Sequence, residues 1–531
     1  MGQDQTISSD PLFIHSALGR AGYGASPADV AWVRKNGFPG WVEAQLVPRE
    51  PEDTACHERL ARLQMRIKYA ANDKWPAVDE LRPLATLDQP IEALWPLMTR
   101  RAEMDGAERR RPRDEIVAAT ILRAVHSKWQ LREVLCNFWH DHFNVDAFSN
   151  EAIAVALPVY DREVIRAHCL GNFRPFLEAV ATSAAMQYYL SNRSSRAGAA
   201  NENYARELFE LHTLGRAAYL NDRYDRWRDV PGALKGAPTG YIDQDVYEAA
   251  RAFTGWTIED GTSIDGRRKL PETGRFSYVE SWHDGYQKRV LAHEFDAFAA
   301  AMVDGRKVLD LVADHPATSR FLVTKLCRRF VGEPPPERLI GAASDAWRQY
   351  RKAPDQIARV VRLILLSPEF AAARNAKVRR PLALAAAFAR GAGIDLVPTE
   401  GLANEIANAG QRLFGWPAPT GLPDERGFFL GTTALRRRWN IVLGIAENYW
   451  ATGPWEPSRS LAGRPPTPRA AVNYFLAALN SAAGPVVADA IIAGAGWPAD
   501  QPLGFSGKPD TEKRLARLAA LCAMAPAFQE A

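Results

Sequence analysis

NENYARELFELHTLG, residues 201–215, decides how this chain folds, because it compresses three carboxylates, an arginine, two asparagines and a histidine into one helix-length run. Asn201 suits an N-cap, Glu202 lies in the first turn against the helix dipole and Gly215 supplies a stop, so the spacing predicts a helix of about four turns. At roughly 100° per residue, Asn203, Glu207, Glu210 and Leu214 share one stripe, beside an apolar stripe of Tyr204, Leu208 and Leu211. Two carboxylates therefore border a core. His212 falls on nearly the opposite side with Ala205 and Phe209, and Arg206 lies within reach of Glu202 and Glu210. A charge-paired helix with a satisfied core histidine thus stands as the structural alternative to a reactive site.

Towards the N-terminus, a sustained helical period over 115–136 leads into FWHDHFNV, residues 138–145. If the helix continues, Leu135, Phe138, Trp139 and His142 share a face and His140 points elsewhere. If the chain extends, His140 and His142 point the same way, as a two-histidine metal clip requires. Both arrangements are open to this sequence. The segment 191–200, SNRSSRAGAA, reads as a flexible loop delivering the chain to the central run.

Beyond Gly215, the passage 216–243 is irregular and rich in Gly, Pro and Asp, and helix resumes over 244–253. GWTI, RFSYVESW and KRVLAHEF then alternate apolar with polar residues, which predicts a small β-ribbon around 253–295. His283 and Asp284 sit between the last two runs, with Lys288 at the end of that loop. An Asp adjacent to a His in sequence does not readily orient the same ring, so a Ser/His/Asp triad is not indicated.

The remainder reads as helices. Segments 50–71 and 91–104 are amphipathic helix candidates, GAERRRPRDE at 106–115 is a charged connector, and further helices follow from 297 to 450. The fold class is therefore mainly α, a large multi-helix array with one small ribbon. Residues 11–450 form one helical domain, and 451–531 a Pro-rich passage and helical tail packed on it.

With 531 residues and 47% hydrophobic content the chain can fill a substantial core. The 66 basic and 62 acidic residues leave a net charge of +4, too little to imply a nucleic-acid surface. Five scattered cysteines show neither a disulfide framework nor zinc spacing. No apolar run approaches a membrane span, and residues 1–10 lack a secretion signal. The sequence as written reads as cytoplasmic, or as periplasmic or secreted if a leader was removed. No Walker loop, dinucleotide fingerprint or nucleophile elbow is present, so no nucleotide cofactor is expected.

Taken together, HSALGRAGYGASPADVAWVRKNGFPGWVEAQL, FWHDHFNV, IRAHCLGNF, NENYARELFELHTLG, ARAFTGWTI, HDGYQKRVL, LCRRFVG and LLSPEF resemble, in the same order, the bacterial domain-of-unknown-function 1800 family. The resemblance implies a mostly helical chain whose characteristic polar residues are His140, His142, Asn203, Arg206, Glu207, Glu210, His212, His283 and Asp284. The chain departs from the family pattern in the long passage 216–243 and in lacking the export signal that members often carry.

These motifs suggest a hydrolase acting on a small molecule or glycan, with its site gathered from FWHDHFNV, the 201–215 run and the His283-Asp284 loop. In a metal-dependent version His140 and His142 bind a divalent ion that activates water, with Glu207, Glu210, His212 and Asp284 as the catalytic set. Asn203, Arg206, His283, Lys288, Trp139 and Trp256 then contact substrate. In a glycoside hydrolase-like version two carboxylates act as acid and base, with Trp139, Trp256 and Trp416 as stacking surfaces. The third reading is a non-catalytic binding or assembly protein in which the polar motifs form a buried network.

Overall fold

Helices dominate the computed structural model, which describes residues 10–99, 103–374, 376–479 and 484–531. Three separate two-stranded antiparallel ribbons interrupt them: Gln64–Tyr69 with Val78–Pro83, Trp256–Asp260 with Glu272–Tyr278, and Lys288–Val290 with His293–Phe295. Helix starts follow the capping chemistry of the sequence. Ser26 and Asp29 close a capping box on the Pro27–Gln45 helix, and Asn150, Asn172 and Ser183 each cap the helix that follows. Gly37 adopts φ 78° and kinks that first long helix.

One continuous apolar core reaches from Phe13 through Trp139, Leu208 and Leu326 to Phe528. The Pro468–Leu479 and Pro509–Met524 helices pack on each other and share that core with Pro381–Ala392. Residues 529–531 return to the 377–379 segment, where Lys377 N donates to Ala531 O at 3.2 Å and Arg379 N to Gln529 O at 2.9 Å.

Several local expectations need correction. The 50–71 segment is not one helix: Thr54–Arg62 is helical, and the QMRIKY that follows forms a strand. Its pairing partner lies at 78–83, beyond the reach of a local pattern. The GAERRRPRDE segment is not a connector but the opening turns of the Gly106–His126 helix, with Asp105 as cap. Ile91–Leu94 and Pro96–Thr99 replace a longer helix over 91–104, whose residues 100–102 lie outside those described. The single ribbon around 253–295 is two ribbons joined by the loop that carries His283.

The 201–215 run begins as expected, with the Asn201 side chain accepting from Asn203 N, but it does not remain α-helical. Glu202–Glu207 is α and Leu208–His212 is π. A second π segment, Tyr160–Arg166, carries Asp161 and Arg166. The wider π turn moves side chains off the 3.6-residue wheel, and such segments inside helices are frequent at functional sites.

Candidate functional site

FWHDHFNV resolves as helix: Gln130–His142 runs through both histidines, and two residues along a helix turn through roughly 200°. His140 and His142 accordingly face different partners. His140 Nε2 lies 2.9 Å from Asp161 Oδ1. Arg166 donates to Asp161 at 2.8 Å and to both Glu133 oxygens at 2.9 and 2.7 Å. All four side chains are buried. Burial pushes the Asp161 carboxyl up, but Arg166, His140 and Arg123 outweigh it and hold the group well below the usual carboxylate range. This ladder ties the Gln130–His142 helix to the π segment and is closed to solvent.

His142 meets the central run directly. Its Nε2 donates to the His212 carbonyl oxygen at 3.1 Å, which leaves Nδ1 as an acceptor for Lys325 Nζ at 2.9 Å. The His142 and His212 rings lie 6.2 Å apart, and the Phe143 ring packs 5.2 Å from His212. Neither ring nitrogen of His212 has a partner among the described residues. Burial, followed by the Lys325 charge, depresses both histidines, His212 to about 3. Lys325 itself is lowered to about 8, chiefly by burial.

These residues do not fit a shared divalent ion. Their rings diverge, a lysine cation occupies the free nitrogen of His142, and no group of three His, Cys, Asp or Glu among the described residues is arranged to hold a metal.

The end of the same helix is pinned to the 414–424 loop. Asn144 Nδ2 donates to the carbonyls of Trp416 and Ala418, both at 2.9 Å, and Tyr189 OH donates to Pro417 O at 2.9 Å. Gly421, at φ 72°, passes so close to the Asp141 carbonyl that any Cβ there would collide with it. Asp141 pairs with Arg380, which shares Asp424 with Lys377.

Glu207 stands apart from these closed arrangements. It is half-buried, and among the described residues no hydrogen bond or ion pair engages its carboxylate, whose pKa is raised by burial and then by Glu210. Tyr189 is near enough to feel its charge. Among the described residues Glu210 has one ion-pair partner, Arg216, at 3.9 Å. Arg206 pairs with Glu202 at 3.2 Å and Asp243 at 3.6 Å, and Asn203 Nδ2 donates to Leu190 O at 3.3 Å. A cleft of about 1030 Å³ opens just past this run, lined by Leu214, Pro238, His315, Phe321 and Thr324. Phe321 also packs 6.2 Å from the His142 ring.

The His283-Asp284 loop does not join this group. Asp284 takes a two-pronged pair from Arg251 at 2.7 and 3.0 Å, His283 lies between Thr254 O at 2.9 Å and Asp304 Oδ2 at 3.3 Å, and Lys288 Nζ reaches Asp304 at 2.7 Å. Arg251 and Thr254 mark the C-terminal end of the Asp243–Ala252 helix, whereas Arg206 contacts its first residue. That helix spans about 15 Å. Trp139 and Trp256 are fully enclosed in the core, so neither offers a face to a ligand.

Of the expected residues, then, His142, Asn203, Arg206, Glu207, Glu210 and His212 share one region. His140, Trp139, Trp256, His283, Asp284 and Lys288 serve the packing of neighbouring elements. Lys325, Asp141 and Tyr189 join the region without having been singled out by sequence. The available signal for Lys325 was a lysine interrupting the apolar stripe of Leu322 and Leu326 on a buried helix.

No curated protein and no solved structure matches this chain. The model of the family described as "Protein of unknown function (DUF1800)" matches residues 16–530, nearly the whole length, and the chain belongs to that family.

Proposed function

We propose that this protein is a hydrolase in which Glu207 moves the proton. The observation that supports this reading is a half-buried carboxyl with no hydrogen-bond or ion-pair partner among the described residues and a raised pKa, set in the 201–215 run. Such a group stays protonated to higher pH than an exposed glutamate. It donates to a leaving group and, once ionised, accepts a proton from attacking water. Glu210 supplies the neighbouring negative charge that favours the protonated form. Tyr189 and Trp416, both half-buried on the 414–424 side, provide the aromatic edge that the enclosed Trp139 and Trp256 do not. A small polar molecule or a glycan suits that setting.

A non-catalytic reading draws support from the closed networks around His140 and Asp284. Assay of the purified protein on a panel of glycans, glycosides and esters separates the two. The hydrolase reading expects turnover of at least one class, reduced roughly 10²–10⁴-fold in Glu207→Gln with the melting temperature preserved. Full turnover in Glu207→Gln, or none by the parent protein, overturns it.

A further inference from the structure

Arginines and a lysine line a small internal cavity of about 20 Å³ far from Glu207 in sequence. Arg20, Arg329, Lys377, Arg379 and Arg380 face it, with Asp424 as its acidic wall and small residues, Ala531 and Gly19 among them, on the remaining sides. All five cations are at least nine-tenths buried. Two of them are neutralised: Lys377 and Arg380 share Asp424, and Arg380 also holds Asp141.

The other three make no ion pair among the described residues. There Arg20 donates to the carbonyls of Phe330 and Phe370, at 3.2 and 2.9 Å, and lies over the Phe370 ring, and Arg379 Nε donates to Phe528 O at 2.9 Å. Arg329 makes no hydrogen bond or ion pair among the described residues. Among the described residues Arg20 Nε, Arg329 Nε and Arg379 Nη1 are buried donors without a partner. Buried unpaired charge is strongly unfavourable, and a guanidinium does not relieve it by losing its proton. The penalty is visible in Arg20 and Arg379, pushed down to about 9 and about 10, mainly by burial. Arg20, Arg329 and Arg379, none of which makes an ion pair among the described residues, concentrate positive charge around a space that holds one water-sized species.

We propose that this cavity is a binding site for a small monovalent inorganic anion of halide size, bound by the free N–H groups of Arg20, Arg329 and Arg379. The anion joins the Pro11–Ala21 helix, the Pro316–Phe330 helix and the 377–380 segment through one shared charge. Its volume excludes phosphate and larger oxyanions. The proposal does not rest on the hydrolase reading: the three arginines that would hold the anion lie outside the 201–215 run and the 414–424 loop.

The test compares thermal unfolding of the full chain in sodium chloride or bromide with unfolding in sodium gluconate at matched ionic strength. The proposal expects a saturating rise of about 2 °C with halide alone, because a ligand bound only by the folded state stabilises it. Arg379→Gln should lose that response while leaving the gluconate baseline readable. Should that variant fail to fold, bromide-soaked crystals of the parent protein decide, with an anomalous peak among Arg20, Arg329 and Arg379 expected. Equal melting in chloride and gluconate together with no bromide peak means that the chain around Ala531 satisfies these arginines from within, and overturns the proposal.

Discussion

Replacing Arg166 with methionine should destabilise the protein by about 3–5 kcal/mol. The side chain holds two buried carboxylates at once, Glu133 through both oxygens and Asp161 through Nε. Methionine fills much of the same space but leaves Glu133 with no hydrogen-bonded cation, its charge met only by the more distant Arg123 and Arg132, and Asp161 with His140 and, at 3.5 Å, Arg123 among the described residues. The penalty is therefore that of uncompensated buried charge, not of lost packing. Urea unfolding measures it, and Glu133→Gln added to the variant should recover part of the loss, because it removes one of the orphaned charges. A loss below about 1 kcal/mol in the single variant would show that the ladder is far wetter than its geometry indicates.

The second large effect is on acid stability. His212 has a folded pKa of about 3, below the 6.5 of an exposed histidine, because burial and the Lys325 charge disfavour the imidazolium. The unfolded chain takes up a proton as pH falls through 6.5 that the folded chain refuses until about 3. Stability is thus fully present above 6.5 and declines towards 3, by about 1.4 kcal/mol for each pH unit inside that window. His142, depressed in the same direction, adds to the decline. His212→Leu should flatten the dependence by about 3 kcal/mol near pH 4, while near neutrality it removes two buried nitrogens that are unpaired among the described residues and leaves stability little changed. The check is melting temperature against pH for parent and variant, and parallel curves would contradict the assignment.

Much of the architecture is legible in the sequence because most helices carry their own start signals and a regular apolar stripe. Ser26, Asn172 and Asn201 all cap as their residue types suggest. The pattern fails where non-local contacts choose the conformation. QMRIKY forms a strand only because 78–83 lies beside it, and GAERRRPRDE becomes helix because Glu108 and Glu115 find partners in that ribbon and the segment after it.

The site is legible in part for the same reason. Glu207 and Glu210 are near enough for one charge to act on the other, although the π turn takes Glu210 off the expected wheel. His212 is buried but, unlike the satisfied core histidine expected, has no ring-nitrogen partner among the described residues. The meeting of His142 with Lys325 joins residues 183 positions apart, and no local periodicity encodes it. His283 and Asp284 carry chemistry-bearing side chains that fasten a ribbon to two helices. Residue type alone does not separate that role from catalysis.

The claim on which the functional reading stands is that Glu207 is a free carboxyl whose proton is held more tightly than in an exposed glutamate. Its titration, followed by ¹³C NMR on glutamate-labelled protein and assigned with Glu207→Gln, tests this without knowledge of the substrate. The account predicts a midpoint above the ordinary 4.5, moving back towards it in Glu210→Gln as the neighbouring charge is removed. A midpoint at or below 4.5, unmoved by Glu210→Gln, would contradict it.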